Sequence, residues 1–211
     1  AKGMKYRVEK GVDTWTVPYL PLDPADVGRV YEADVIRINS QSGKGGIGYI
    51  LETQFKLVLP PKMREVFGYH VKSISDHAHK ELSAEEVRDI FMRDFVNLQD
   101  KLSVISANYQ ENGDVVKGIV KIAYNGVEQT VEAEGNGRLD CISNAIKKAV
   151  DKEYVLESYI QHALEERSTA KAASYVSLVL DGKTFWGTGI HTDIMVSSIR
   201  ALVSAVNRML Q

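Results

Sequence analysis

Glu134-Gly135-Asn136-Gly137-Arg138-Leu139-Asp140 follows an alternating apolar run and precedes a helical pattern, so it reads as a tight strand-to-helix turn. Such a turn presents free backbone N–H groups at the positive end of a helix dipole, a setting that suits a small anionic group. Its two glycines, Gly135 and Gly137, permit positive φ and the close approach of a ligand. Most Gly-x-Gly turns only turn the chain. This one gains weight because the residues behind it repeat the same layout and end in a second Gly-rich turn before a helix.

Upstream of the turn, Leu102–Tyr109 reads as a strand, Asn112-Gly113-Asp114 as a turn and Val116–Tyr124 as a second strand. Asn125-Gly126 is a strong hairpin signal, because a type I′ turn needs positive φ at both central residues. Val127, Gln129, Val131 and Ala133 alternate with Glu128, Thr130, Glu132 and Glu134, giving a third strand with one wet face. Downstream, Leu139, Ile142, Ala145, Ile146, Ala149 and Val150 form one helical stripe. The unit is β-β-β-α. A second unit follows: Tyr154–Leu164, Ala172–Leu180, a turn at Asp181-Gly182, a return strand Lys183–Gly187, and a helix opened by Thr192-Asp193. In that helix Met195, Ile199, Leu202, Val206 and Met209 recur at three and four. Two such units can pair about a pseudo-twofold axis or across a dimer axis.

The first hundred residues differ. Pro18, Pro21 and Pro24 forbid a helix interior, so residues 1–30 form an extended strap, with one capped turn at Asp23–Gly28. Tyr31–Asn39 reads as a strand. Ser40-Gln41-Ser42-Gly43-Lys44-Gly45-Gly46 tempts a phosphate-loop reading, but Gly45 follows Lys44 where Ser or Thr is needed, so it reads as a flexible loop. Pro60-Pro61 starts an amphipathic helix over 62–75, broken by a solvated loop at Asp76-His77-Ala78-His79. Ser83-Ala84-Glu85-Glu86 is a capping box opening a helix over 84–97. The fold class is therefore α+β: a small helical subdomain followed by two βββα units.

The 211 residues are 44% apolar with net charge −2, enough for one or two domains with real cores. Near-neutral charge argues against a dedicated nucleic-acid binder, and no apolar run reaches the ~20 residues of a membrane span. The start, Ala1-Lys2-Gly3-Met4, lacks the apolar core of a signal peptide. The single cysteine, Cys141, rules out an internal disulfide, fits the reducing cytoplasm, and reads as a buried small side chain. His77 and His79 have no partners that would make a metal site.

Four stretches carry a family resemblance. They are Pro18-Tyr19-Leu20-Pro21-Leu22-Asp23-Pro24 with Gly28-Arg29; Asn39 to Gly46; Glu134-Gly135-Asn136-Gly137; and Trp186-Gly187-Thr188-Gly189-Ile190 running to Val203-Ser204-Ala205-Val206-Asn207-Arg208. Together they resemble the C-terminal part of the 2-isopropylmalate synthase family, across essentially the whole chain. The resemblance implies a parent enzyme whose N-terminal (β/α)8 barrel condenses acetyl-CoA with 2-oxoisovalerate, using a divalent metal. The barrel is expected to be absent here, so the fragment would carry no catalytic residue, cofactor or metal. What remains is the strap at 1–30, a linker subdomain at 31–98 and a leucine-sensing regulatory domain at 100–211. Tyr19 would approach a partner's active site.

By position, the resemblance implies a homodimer that binds leucine at the interface of paired regulatory domains. Gly135, Asn136, Gly137 and Leu139 correspond to one wall. Tyr159, His162 and Ala163, with Ala170 and Ala172, correspond to another, and Thr192 and Ile194 close the site. Small residues such as Ala170 and Ala172 equally serve close packing. Arg138, His191 and Glu165–Ser168 depart from the family's usual residues. Isoleucine, sensed by citramalate-forming relatives, therefore stays open as the effector. A purely structural dimerisation module and a self-contained enzyme using Lys44 and the histidines are the rival classes.

Overall fold

The structure, a computed structural model, describes residues 44–165 and 170–211, together with the isolated positions 11, 26 and 28. Apart from those positions, the expected strap at 1–30 and the expected strand at 31–39 lie outside the described residues. Everything below falls within one compact unit, Ile38–Gln211.

Three helices come first: α1 (Lys44–Phe55), α2 (Pro61–Ala78) and α3 (Ala84–Phe95). Helix α1 corrects the expected loop, since Lys44-Gly45-Gly46 already belong to its first turn. Each helical glycine costs about 1 kcal/mol relative to Ala. Burial of Ile47, Ile50 and Leu51 one turn apart outweighs that, at about 1.5–3 kcal/mol per side chain. Gly48 packs closely on α2: a Cβ there would lie 2.4 Å from Cδ of Arg64, whose side chain would have to move.

Helix α2 also outruns its expected end. Asp76 and His77 are helical rather than part of a solvated loop, and His79, at φ +49°, forms the left-handed C-cap. His77 Nδ1 lies 2.6 Å from the Ser73 carbonyl, so this histidine serves the last turn of the helix, whose dipole favours it. The capping box is present as expected. Glu86 N–H donates to Ser83 Oγ at 3.2 Å and Ser83 N–H donates to Glu86 Oε2 at 2.9 Å. Ser83→Ala is expected to lower stability by about 1 kcal/mol in urea denaturation. Phe67 meets Phe91 and Phe95 edge-on, with ring centroids 5.1 and 5.5 Å apart, at the centre of the helical core.

The remainder is β1 (Leu102–Asn112), β2 (Val115–Tyr124), β3 (Val127–Gly135), α4 (Arg138–Val150), β4 (Val155–Ala163), β5 (Ala172–Leu180), β6 (Lys183–His191) and α5 (Ile194–Met209). Two antiparallel sheets result, β1-β2-β3 and β4-β5-β6. Asn125-Gly126 and Asp181-Gly182 both take two successive positive φ values, as type I′ hairpin turns require. On the wet face of the first sheet, Lys117 pairs with Glu134 at 2.8 Å and Lys121 with Glu128 at 2.5 Å.

Strand β6 runs four residues past the expected Gly187. Its buried side chains are Trp186 and Thr188, and its opposite face is Gly187 and Gly189, so no apolar alternation advertises it. Helix α4 lies on β2 and β3, whereas α5 lies on β5 and β6 and reaches β1. Both helices share one core with Val120, Ile122, Val176 and Leu178, so the two βββα units fold as one body. Strand β5 is buried on both faces. Val176 and Leu178 join the α4–α5 core, while Ala173 and Tyr175 join the helical core with Trp186.

Candidate functional site

The Gly135 corner is built differently from its sequence reading. Neither Gly135 nor Gly137 has positive φ; Gly137, the N-cap of α4, is extended at φ −168°. A Cβ on Gly135 would fall 2.4 Å from Cys141 N, so the close approach this glycine permits is that of α4 itself. Gly137 faces open space. The Asn136 N–H donates to Asp140 Oδ2 at 3.0 Å, which places a carboxylate of the chain at this helix start. Arg138 donates from Nε and Nη2 to Glu111 Oε1 at 2.9 and 2.8 Å, and its guanidinium lies 5.7 Å from the Tyr109 ring centre. Leu139 is half-buried against the α4–α5 core.

Cys141 is buried and donates weakly to the Ala133 carbonyl at 3.3 Å. Burial, then the nearby Asp140 and Glu134 carboxylates, push its thiol pKa up, so a thiolate nucleophile is disfavoured.

The second corner gathers more of the expected residues. Asp193 caps α5, accepting from Val196 N–H at 2.9 Å, and Asp193 N–H donates to His191 Nδ1 at 3.0 Å. Ala163 pairs with Ala172 across β4 and β5, and Tyr159 pairs with Val176. Tyr159 and Ala163 therefore share the sheet face that carries α5. The Tyr159 hydroxyl is 2.7 Å from Ser198 Oγ, and Ser198 Oγ donates to the Ile194 carbonyl at 2.7 Å. Tyr159 is 41% exposed and Ile194 55% exposed, so apolar surface flanks hydroxyl groups beside a helix start. Thr192 is exposed in the turn between β6 and α5, and Ala170 is half-buried just before β5.

Two expected partners stand apart. His162 pairs with Ala173, so its side chain points to the face of β4 opposite Tyr159 and Ala163. The Gly135–Leu139 corner belongs to the first unit, and no hydrogen bond among the described residues joins it to the second corner. A depression of about 560 Å³ over the first sheet, lined by residues including Asn108, Lys117, Ile119 and Lys148, contains none of the expected residues.

A buried serine row was missed by sequence reasoning. Ser197 Oγ lies 2.8 Å from Ser174 Oγ, 2.9 Å from the Gly189 carbonyl and 3.1 Å from the Ala172 carbonyl, so its one O–H donates to a carbonyl while it can accept from Ser174. Ser174 Oγ lies 3.4 Å from Ser198 Oγ, which continues the row to Tyr159. The available signal was hydroxyl residues inside otherwise apolar helix and strand stripes. In this setting they satisfy each other where α5 presses on β5 and β6.

Exposed Tyr159, Ala163 and Ile194 thus set apolar surface beside hydroxyl groups and the start of α5. Among the described residues no group of three or more His, Cys, Asp or Glu is placed to hold a metal ion. Among them also, no helix is long and apolar enough to cross a membrane.

Residues 81–210 match the family model described as LeuA allosteric (dimerisation) domain. Residues 1–52 match the model described as Alpha-isopropylmalate synthase, post-catalytic domain-like. A 2-isopropylmalate synthase of Desulfitobacterium hafniense is 49% identical over 211 residues, covering 100% of this chain and 38% of that protein. One of Helicobacter hepaticus is 48% identical over 218 residues, covering 100% of the chain and 39% of its own length. One of Brucella suis is 38% identical over 213 residues, covering 99% and 38%. The chain thus spans about two fifths of the length of the curated relatives it matches.

Proposed function

The chain belongs to the LeuA allosteric (dimerisation) domain family, and on that premise we propose that it is the regulatory part of a 2-isopropylmalate synthase. In this reading two copies pair, and leucine binds between them. Occupancy then inhibits condensation of acetyl-CoA with 2-oxoisovalerate in a catalytic part outside the chain. The divalent metal of that chemistry belongs to the catalytic part, and the assembly works in the cytoplasm.

One observation supports the site most: the exposed Tyr159 and Ile194 side chains flank the start of α5, joined through Ser198. The Gly135–Leu139 corner lies in the other unit, and in this reading the second copy brings it opposite. Apolar Ile194, Ala163 and Leu139 then hold the isobutyl group, and helix-start amides hold the carboxylate.

Calorimetric titration of the chain with leucine and with isoleucine, alongside sedimentation to read its oligomeric state, tests this. Saturable heat with leucine from a dimer is the expected result, and no heat with either amino acid removes the sensing function. Displacing one methyl group changes affinity by about 1–3 kcal/mol, so the two titrations separate a leucine sensor from an isoleucine sensor. At a hundredfold excess over Kd, a ligand stabilises the folded state by about 2.7 kcal/mol. A structural dimerisation module would melt at the same temperature with and without amino acid.

A further inference from the structure

Side chains alternate across a strand, so consecutive residues of β4 look in opposite directions. Tyr159, Gln161 and Ala163 face the α5 side, where the effector is proposed to bind, whereas Ile160 and His162 face the helical subdomain. The His162 ring stacks on Tyr175, with centroids 5.5 Å apart and planes 17° apart. Its Nε2 lies 3.2 Å from the Lys56 carbonyl and 3.5 Å from Val58 N. These atoms belong to the short connection between α1 and α2, more than a hundred residues earlier in the chain.

That connection is held tightly on its inner side. Leu57 and Leu59 are buried, Leu57 N–H donates to the Leu51 carbonyl at 3.0 Å, and Lys56 sits in the left-handed region at φ +60°. Its outer side meets His162. One ring nitrogen cannot serve both neighbours at once: protonated, Nε2 donates to the Lys56 carbonyl; unprotonated, it accepts from Val58 N–H. The contact can therefore be made with either placement of the ring proton. Strand β4 is also less constrained than β5 by backbone pairing. It lies at the edge of its sheet, with a β-bulge between Leu156 and Ser158.

We propose that His162 is a positioning residue that carries effector occupancy on the Tyr159–Ala163 face of β4 to the α1–α2 connection of the helical subdomain. A ligand that displaces Ala163 on one face displaces His162, the adjacent residue, on the other. This rests on the reading of the Tyr159 face as an effector site. It assigns His162 to transmission rather than to a wall of that site.

Hydrogen exchange on the 211-residue chain with and without leucine, read in peptides spanning residues 56–60, tests it together with calorimetry. In the unsubstituted chain leucine changes exchange of these amides by about 5-fold or more, the lower end of ordinary site-to-site coupling. His162→Phe keeps a ring on Tyr175 but removes Nε2. It should bind leucine within about tenfold of the unsubstituted chain and lose the response at 56–60. His162→Gln, whose amide can still donate to the Lys56 carbonyl, should restore part of it; a merely structural role would give no such rescue. If His162→Phe does not fold, His162→Asn, too short to reach Lys56, takes its place with the same expectation. A full response in His162→Phe or His162→Asn overturns the proposal. So does binding of leucine by the unsubstituted chain without any change at 56–60. Absence of leucine binding by the unsubstituted chain overturns the effector-site reading and this inference with it.

Discussion

Gly189→Ala is expected to lower the melting temperature by roughly 6–12 °C, corresponding to a loss of about 3 kcal/mol at 2–4 °C per kcal/mol for a chain of this size. A Cβ at Gly189 would lie 1.9 Å from the Ser197 carbonyl oxygen and 2.5 Å from Ala201 N. Both are backbone atoms of α5, so no side-chain rotation relieves the clash. Gly187 is in the same position two residues earlier, with Ala205 N at 2.1 Å. Helix α5 cannot back away cheaply, because Ser197, Ser204 and Asn207 tie it to β6 and to the segment leading into β1. Gly137→Ala is the matched control. No atom lies within 4 Å of its added Cβ and its φ of −168° is open to any residue, so the loss should be limited to the poorer N-cap, about 1 kcal/mol or less. Calorimetric melting of both variants checks the contrast. A Gly189→Ala chain melting within a degree or two of the unsubstituted one would mean that α5 does not press on β6 as described.

Asn207→Leu should cost about 3–4 kcal/mol in urea denaturation, the sum of a lost network and stranded backbone groups at about 1–3 kcal/mol each. The Asn207 side chain is buried, and its Oδ1 accepts from Leu102 N–H at 2.9 Å. Its Nδ2, with two hydrogens to donate, lies within reach of the carbonyls of Leu102 at 2.8 Å, Val203 at 3.0 Å and Leu98 at 3.2 Å. Leucine has the same number of side-chain heavy atoms but offers none of these bonds, and it leaves the Leu102 N–H without a partner. The loss falls on the segment that joins α3 to β1, where Leu98 N–H also donates to Ser204 Oγ at 2.8 Å. An unchanged urea midpoint in the Asn207→Leu variant would mean that this segment is held by other contacts. Next to it, Arg208 lies 3.7 Å from the Phe95 ring centre and donates to the Asp94 carbonyl at 2.7 Å. The end of α5 thus grips the helical subdomain while its start carries Tyr159's partner, Ser198. One rigid helix therefore touches both the proposed effector site and the body that effector binding is proposed to influence.

The candidate site was legible to different depths. The parity of Tyr159, Ala163 and His162 along a strand already separates the histidine from the other two, since only residues two apart share a face. The partners on each face were not legible: Ser198 lies 39 residues from Tyr159, and Lys56 lies 106 from His162. The Gly135 turn was read correctly as a strand-to-helix corner. Its glycine, however, admits α4 rather than positive φ or a ligand.

By itself the sequence determined the hairpins, the capping box, the stripes of α4 and α5, and hence the repeated β-β-β-α order. Each of those signals acts through backbone φ preferences, caps or burial periodicity within a few residues. The tertiary structure alone decided that Lys44-Gly45-Gly46 would open a helix and that β6 would run on through two glycines. It alone placed the α1–α2 connection against His162. In each of these cases the deciding energy comes from packing or hydrogen bonding between segments far apart in the chain, which no local pattern encodes.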